Sequence, residues 1–176
     1  MGDLGDQIHH EHPFQTPSDQ REPARRLRGR LASPVTIWTA YGADGPVGLT
    51  VSSIVVAEGK PSALMGLINP TTDLWDAIGE SKRFVVHVLD DSRRELAERF
   101  AGLRPSPGGI FHGLVVQRGD HGPVLTDLKE RAHCTLFDTI DAGYQRLVRG
   151  LIQEVEVAEL VSPLVYFRGG FRSLGT

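Results

Sequence analysis

Two segments rich in hydroxyl side chains are the part of this sequence best suited to bind a ligand. The first lies within residues 48–53 and contains Thr50, Val51, Ser52 and Ser53. The second lies within residues 69–73 and contains Asn69, Thr71 and Thr72. Both follow strand-like runs, and their neutral hydrogen-bonding groups are of the kind that hold a phosphate without burying a positive charge. The pattern favours binding of a phosphorylated cofactor.

A predicted helix directly after the second segment supports the same interpretation. Asp73 is expected to cap residues 74–78, and the unpaired N–H groups of that first turn would present a partial positive charge to an anion. Capping by Thr71, Thr72 and Asp73 explains the same residue types without any ligand. The residues alone leave both explanations open.

The composition is that of an ordinary globular protein. Of 176 residues, 40% are hydrophobic and 23% are charged, and the formal net charge is -3. This charge gives no reason to expect a nucleic-acid partner, and no apolar run approaches the roughly 18 residues that a membrane span needs. Cys134 is the single cysteine, which excludes an intrachain disulfide. We therefore expect a cytoplasmic protein without a membrane partner.

Hydrophobic patterning divides the chain into an arm and one domain. Residues 1–22 are polar and lack an apolar period, which predicts a flexible N-terminal arm, whereas residues 23–176 form the predicted domain. Period-two alternation predicts a hairpin of 35–40 with 47–56, and further strands at 62–68, 84–89, 111–117, 133–138 and 144–160. A second helix is expected after a capping box at 92–95, with Leu96 and Phe100 on one face. Many strands with few short helices favour a mainly β, antiparallel closed barrel.

Several common chemistries lack their sequence signatures. The glycines at 42–48 are not spaced as G-x-G-x-x-G, and there is no P-loop, paired-cysteine motif, H-E-x-x-H or G-x-S-x-G. No metal site and no serine or zinc hydrolase is therefore expected. Cys134 alternates with apolar positions on a predicted strand, which indicates a buried structural thiol rather than a nucleophile.

Six segments in a fixed order carry a family resemblance. Residues 48–53, 69–72, 81–89, 96–102, 122–125 and 163–171 resemble the flavin reductase-like family, and the similarity spans about residues 26–174. The resemblance implies an FMN-binding split barrel of Greek-key type that forms a homodimer with flavin near the subunit interface. It further implies FMN, or FAD, as the flavin and NADH or NADPH as the donor. The implied partner is an oxygenase component that receives diffusible reduced flavin.

The resemblance also assigns roles to residues of this chain. Its flavin-contacting positions correspond to Thr50, Val51, Ser52, Ser53, Asn69, Thr71 and Thr72, and Phe171 is a candidate for contact with a ring. Tyr144 and Gln145 become candidates for substrate binding. No catalytic acid or base is assigned, because hydride transfer depends chiefly on holding two rings at the reacting distance.

Three departures from the family pattern bear on activity. Gly143-Tyr144-Gln145 replaces the common Gly-Asp-His, so Gln145 can donate a hydrogen bond but cannot carry a proton charge. Pro34 replaces a glycine and removes a main-chain donor. His87 replaces an asparagine and is predicted to be a hydrogen-bonded strand histidine rather than a base.

Three functions follow as hypotheses. The first is an NAD(P)H-dependent flavin reductase that supplies a monooxygenase. The second keeps the flavin but uses another donor such as a deazaflavin, and the third is a flavin-binding protein without catalysis. For a dimer, residues 144–160 are expected to contribute to the shared surface.

Overall fold

The structure is a computed structural model that describes residues 23–159 and 162–174. The predicted arm, 1–22, lies outside the described residues. The chain divides into two compact units, one ending at Leu31 and the other beginning at Ala32. In the first unit the structure describes one short helix, α1 (Pro23–Arg28).

The second unit is built mainly from strands. In its described part these are β1 (Ser33–Pro34), β2 (Thr36–Gly42), β3 (Gly45–Val51), β4 (Ile54–Ala57), β5 (Ala63–Ile68), β6 (Arg83–Val88), β7 (Val116–Arg118), β8 (Pro123–Leu125), β9 (Arg131–Ala142), β10 (Gln145–Glu156), β11 (Leu164–Phe167) and β12 (Gly170–Ser173). Two α-helices accompany them, α2 (Asp73–Ser81) and α3 (Arg94–Phe100), the latter preceded by a 3-10 turn, Asp91–Arg93.

One large antiparallel sheet positions the other elements. Its strand order is β3-β2-β6-β9-β10-β5-β4, and two smaller sheets have the orders β1-β11-β12 and β7-β8. The seven strands curl into a half-barrel, which confirms the prediction of a mainly β, antiparallel barrel with few helices. Because β3 and β4 form the two edges and do not pair with each other, the barrel is split rather than closed.

The chain crosses between those two edges at Ser52 and Ser53. The run predicted as one strand over 47–56 is therefore two strands, β3 and β4, which pair with different partners. Ser53 O accepts a hydrogen bond from Leu67 N at 3.1 Å, which ties the crossing to β5. Two consecutive residues without a large side chain allow the backbone to turn from one edge to the other.

A pair of stacked rings fills the inside of the curl. The rings of Trp38 on β2 and Phe84 on β6 lie with centroids 4.9 Å apart and nearly parallel. Trp38 packs against Gly66 of β5, where an added Cβ would lie 2.7 Å from its Cζ2 atom. Phe84 packs in the same way against Gly150 of β10. The two glycines thus let opposite parts of one sheet meet over a shared aromatic core.

Strand β2 lies between two hydrophobic clusters. Trp38 and Ala40 belong to the cluster inside the curl. Ile37 belongs to a second cluster with Leu89 and Phe100, outside the curl and under α3. The period-two alternation of β2 is therefore an alternation between two apolar surroundings, which explains why both faces of the strand are buried.

Three further local predictions are wrong. Residues 111–115 are turn and coil, and only Val116–Arg118 forms a strand, because glycines with positive φ at 109 and 113 bend the chain. Thr72 rather than Asp73 caps α2, since its hydroxyl accepts from Trp75 N. The capping box at 92–95 does not form, because α3 begins at Arg94 without a side-chain cap.

We expect Gly66→Ala to destabilise the protein by about 1–3 kcal/mol, because the new methyl group would displace the Trp38 ring from a filled core. Gly79→Ala is the matched control: Gly79 lies in α2 with open space around an added Cβ, so this change should be stabilising by up to about 1 kcal/mol. Urea unfolding of both variants measures the difference. Equal stability of the two would contradict the packing role of Gly66.

Candidate functional site

A cavity of about 620 Å³ lies where β3, the start of α2 and a glycine-rich loop meet. Its lining comes from three segments, Pro46–Leu49, Thr71–Leu74 and Gly108–Phe111. A volume of this size is typical of small-molecule sites. The cavity brings Gly48 of the first hydroxyl-rich segment together with Thr71 and Thr72 of the second.

The α2 end of the cavity is shaped by side chains that cap and turn the backbone. Thr72 Oγ1 donates to Asn69 O at 2.8 Å and accepts from Trp75 N at 3.4 Å. Asn69 Oδ1 accepts from both the main-chain N and the hydroxyl of Thr71, each at 3.0 Å. These contacts hold the turn in place without a ligand, and they direct the O–H groups of both threonines to protein acceptors.

The β3 wall owes its shape to Gly48. An added Cβ at this position would lie 2.6 Å from the Phe100 ring, so the absence of a side chain lets α3 pack onto β3. Phe100 in turn meets Phe111 edge to face, with ring centroids 5.1 Å apart. Gly48 therefore has a packing role, and it also positions the Phe111 end of the loop along the cavity.

The other hydroxyls of the first segment differ in their availability. Thr50 Oγ1 donates to Ala97 O at 2.7 Å, and Ser53 Oγ donates to Leu67 O at 3.1 Å. Ser52 is half-buried, and its hydroxyl has no hydrogen-bond partner in the part of the chain that the structure describes. Thr50, Val51, Ser52, Ser53 and Asn69 do not line the cavity themselves.

The remaining predicted site residues lie elsewhere. Phe171 is only 5% exposed, and its ring packs against Tyr166 in the second hydrophobic cluster. Tyr144 is 91% exposed at the turn between β9 and β10, with Gln145 beside it. None of these three residues lines the cavity.

The loop at 108–111 was missed by reading the sequence, which placed a strand from residue 111 onward. Gly108 and Gly109 have φ values of +85° and +96°, and an added Cβ at Gly109 would meet no atom within 4 Å. The signal available in the sequence was the adjacent pair of glycines after Pro105 and Pro107, which indicates a turn.

Comparison with known proteins decides the family. A family model described as "Flavin reductase like domain" matches residues 28–175. The chain belongs to this family. The resemblance predicted from six ordered segments is therefore confirmed.

Individual relatives agree with this membership. The chain is 30% identical over 156 residues to the reductase component of 4-nitrophenol 4-monooxygenase/4-nitrocatechol 2-monooxygenase from Rhodococcus opacus, covering 88% of this chain and 81% of the relative. It is 26% identical over 162 residues to the FMN reductase (NADH) SmoA of Agrobacterium fabrum, and the match covers 92% of this chain and 90% of the relative. The solved structure of nitrilotriacetate monooxygenase component B from Mycobacterium thermoresistibile superposes with a TM-score of 0.78 at 28% identity. The superposition covers 89% of this chain and 87% of that structure.

Two further structural findings concern membranes and metals. Among residues 23–159 and 162–174, no helix has both the length and the apolar character to cross a lipid bilayer. In the same residues, no cluster of three or more His, Cys, Asp or Glu side chains is arranged to hold a metal ion.

Two buried side chains outside the cavity have structural roles. His87 is fully buried. Its Nδ1 donates to Ile37 O at 3.2 Å, and its Nε2 accepts from Leu125 N at 3.1 Å. The prediction of a hydrogen-bonded strand histidine is confirmed. Cys134 is buried too, and burial raises the pKa of its thiol to about 12, which confirms a structural rather than a nucleophilic cysteine.

The histidine should make stability depend on pH. Burial is the main cause that lowers the pKa of His87 from 6.5 to about 4, so the unfolded chain binds a proton that the folded protein excludes. The contribution of His87 to the free energy of unfolding is fully present above about pH 7. It should fall by roughly 3 kcal/mol as the pH drops toward 4. His87→Asn should remove this slope. Urea unfolding at pH 4.5 and 7.5 compares the two proteins, and identical pH dependence would contradict the assignment.

Proposed function

We propose that this protein is a flavin reductase that transfers a hydride from NADH or NADPH to FMN, with FAD as the alternative flavin. The observation that carries the proposal is the family match over residues 28–175, together with a cavity lined by Gly48 and Leu49 of the first predicted segment and by Thr71 and Thr72 of the second. The named relatives include an FMN reductase (NADH) and the reductase component of a monooxygenase. Delivery of reduced flavin to an oxygenase partner belongs to the same proposal.

The residues around the cavity fit a flavin by their chemistry. The bound flavin would accept the hydride, and the protein would hold and shield it. The main chain at Gly109 permits close approach, since an added Cβ there would meet no atom within 4 Å, and Thr71 and Thr72 add polar atoms at the start of α2. Among the described residues that line the cavity, Asp73 is the only ionisable one. A site with so little acid-base capacity suits hydride transfer, which needs orientation and exclusion of water more than proton transfer.

Steady-state oxidation of NADH and of NADPH, with FMN and with FAD, tests the proposal. We expect turnover with at least one pair. Activity with a reduced deazaflavin and none with nicotinamides would select the second hypothesis. A purified protein that carries flavin but is inert toward all of these donors would select the third.

The hydroxyls of the first segment allow a test of cofactor binding. Ser52 does not line the cavity, but its hydroxyl has no partner among the described residues and the family resemblance assigns this residue to the flavin, so we expect Ser52→Ala to leave stability unchanged and to weaken FMN affinity about tenfold. Thr50→Ala removes the bond to Ala97 O and should instead lower stability by about 1 kcal/mol. Fluorescence titration with FMN and thermal unfolding separate the two effects. Unchanged FMN affinity in Ser52→Ala would contradict the cofactor role of that residue.

A homodimer is part of the proposed function. Residues opposite each other in the sheet point to the same face, and the outer face of β4, β5, β10 and β9 carries an apolar row. Its members are Val55 with Met65, and Leu67 with Leu147 and Ile140. Arg149, which is opposite Met65, forms an ion pair with Asp138 on the same face. A solvated outer face would be polar, so we infer that a second copy covers this row. The row includes part of β10, within the predicted run 144–160, and the exposed Tyr144 lies at the adjoining turn.

Ile140 offers the sharpest test of this interface, because it is 51% exposed and its replacement should leave the fold intact. We expect the wild-type protein to be a dimer by light scattering coupled to size exclusion, and Ile140→Asp to be monomeric. Thr139→Asp is the control, since this exposed neighbour points to the other side of the strand. A monomeric wild-type protein at micromolar concentration would overturn the dimer.

A further inference from the structure

A second cavity, of about 410 Å³, lies beside α3 and shares no lining residue with the first. Three arginines line it, Arg93, Arg99 and Arg104, together with Glu95. The loop after α3 contributes to both cavities, since its ends at Pro105 and Leu114 line the second and its middle lines the first.

The carboxylates near this cavity are already paired with one of the arginines. Arg104 Nε lies 2.6 Å from Glu98 Oε2, and its Nη2 lies 3.3 Å from Glu95 Oε1. The hydrogen bond from Arg104 holds the pKa of Glu98 below its ordinary value, and Arg94 adds to this effect. The charge of Arg104 is therefore largely compensated within the protein.

Arg93 and Arg99 are not compensated in this way. Within the part of the chain that the structure describes, neither forms an ion pair with a carboxylate. Arg93 Nη2 donates to Asp127 O at 3.3 Å, and Arg99 Nη2 donates to Gly109 O at 2.9 Å and His112 O at 2.6 Å. Main-chain carbonyls hold the two guanidinium groups in place but do not neutralise them.

Both guanidinium groups also have donors without acceptors. The Nε atoms of Arg93 and Arg99 are buried and have no hydrogen-bond partner among residues 23–159 and 162–174. Buried donors in folded proteins are nearly always paired, so these two atoms are unusual, but they have almost no accessible surface and a ligand would meet the terminal nitrogens of the two guanidinium groups instead. Two uncompensated positive charges fixed at a concave surface are the features of an anion site.

We propose that this cavity binds a phosphate group between Arg93 and Arg99. The planar fork of a guanidinium matches the spacing of phosphate oxygens and forms charge-assisted hydrogen bonds with them. The volume exceeds that of the phosphate alone and accommodates an attached organic group. Inorganic phosphate and a nucleotide phosphomonoester share this chemistry. The site goes beyond the proposed flavin chemistry and does not depend on it.

Titration with sodium phosphate tests the site directly, with thermal unfolding as the readout and sodium chloride at equal ionic strength as the reference. We expect a saturable rise in melting temperature with phosphate alone. Arg93→Gln should weaken apparent phosphate affinity at least about tenfold, and Arg93→Lys should give an intermediate loss, because the charge remains without the fork.

Arg94→Gln is the matched control. Arg94 is the next residue along the chain, its side chain is 55% exposed, it pairs with Glu98, and it does not line the cavity. It should keep wild-type affinity for phosphate. The proposal is overturned by the absence of a saturable phosphate effect, or by an equal loss of affinity in Arg93→Gln and Arg94→Gln.

A second titration, with adenosine 2′-phosphate and with adenosine, distinguishes the sources of the phosphate. Tighter binding of the nucleotide than of inorganic phosphate indicates a phosphomonoester, and equal affinity indicates the free ion. If adenosine binds as tightly as adenosine 2′-phosphate, the proposal is overturned, because the phosphate group then contributes nothing to binding. These measurements need neither flavin nor nicotinamide, so a failure of flavin reduction leaves them unaffected.

Discussion

The stack of Trp38 on Phe84 is the interaction on which the rest of the domain depends. It holds the two halves of a single seven-stranded sheet over one core, and it does so only because Gly66 and Gly150 leave room for the rings. Once the sheet is curled, its edge strands β3 and β4 are consecutive in the chain yet lie at opposite ends of the strand order. The crossing at Ser52 and Ser53 is a consequence of that curl.

A similar use of glycine builds the first cavity. Gly48 admits the Phe100 ring, and Phe100 contacts Phe111 of the loop that forms one wall. Arg99, one residue before Phe100, donates to the carbonyls of Gly109 and His112 in the same loop. Helix α3 thus positions the loop from two directions, by an aromatic contact and by a charged group. The loop that α3 positions therefore contributes residues to both cavities.

Three fully or almost fully buried polar side chains around β2, those of Thr36, Thr39 and His87, have hydrogen-bond partners. Thr36 Oγ1 donates to Val51 O and accepts from the indole N–H of Trp38, while Thr39 Oγ1 donates to Pro123 O. His87 joins Ile37 to Leu125 in the same manner. These bonds connect β2 to the strands and loop around it without burying a charge, which would be costly in an apolar core. Among the described residues, His87 and Cys134 are the core groups whose pKa is shifted by burial, and no group with a shifted pKa lines the first cavity.

The amino-acid sequence by itself determined the fold class, the family and most of the strands, because alternation of apolar residues and ordered local segments are properties of neighbouring positions. It identified Cys134 and His87 as structural residues for the same reason. Only the tertiary structure decided which hydroxyls are already bonded, that Phe171 lies in the core, and that the loop at 108–111 forms a cavity wall. Those outcomes depend on contacts between residues far apart in the chain, such as Thr50 with Ala97, and no local pattern encodes such contacts.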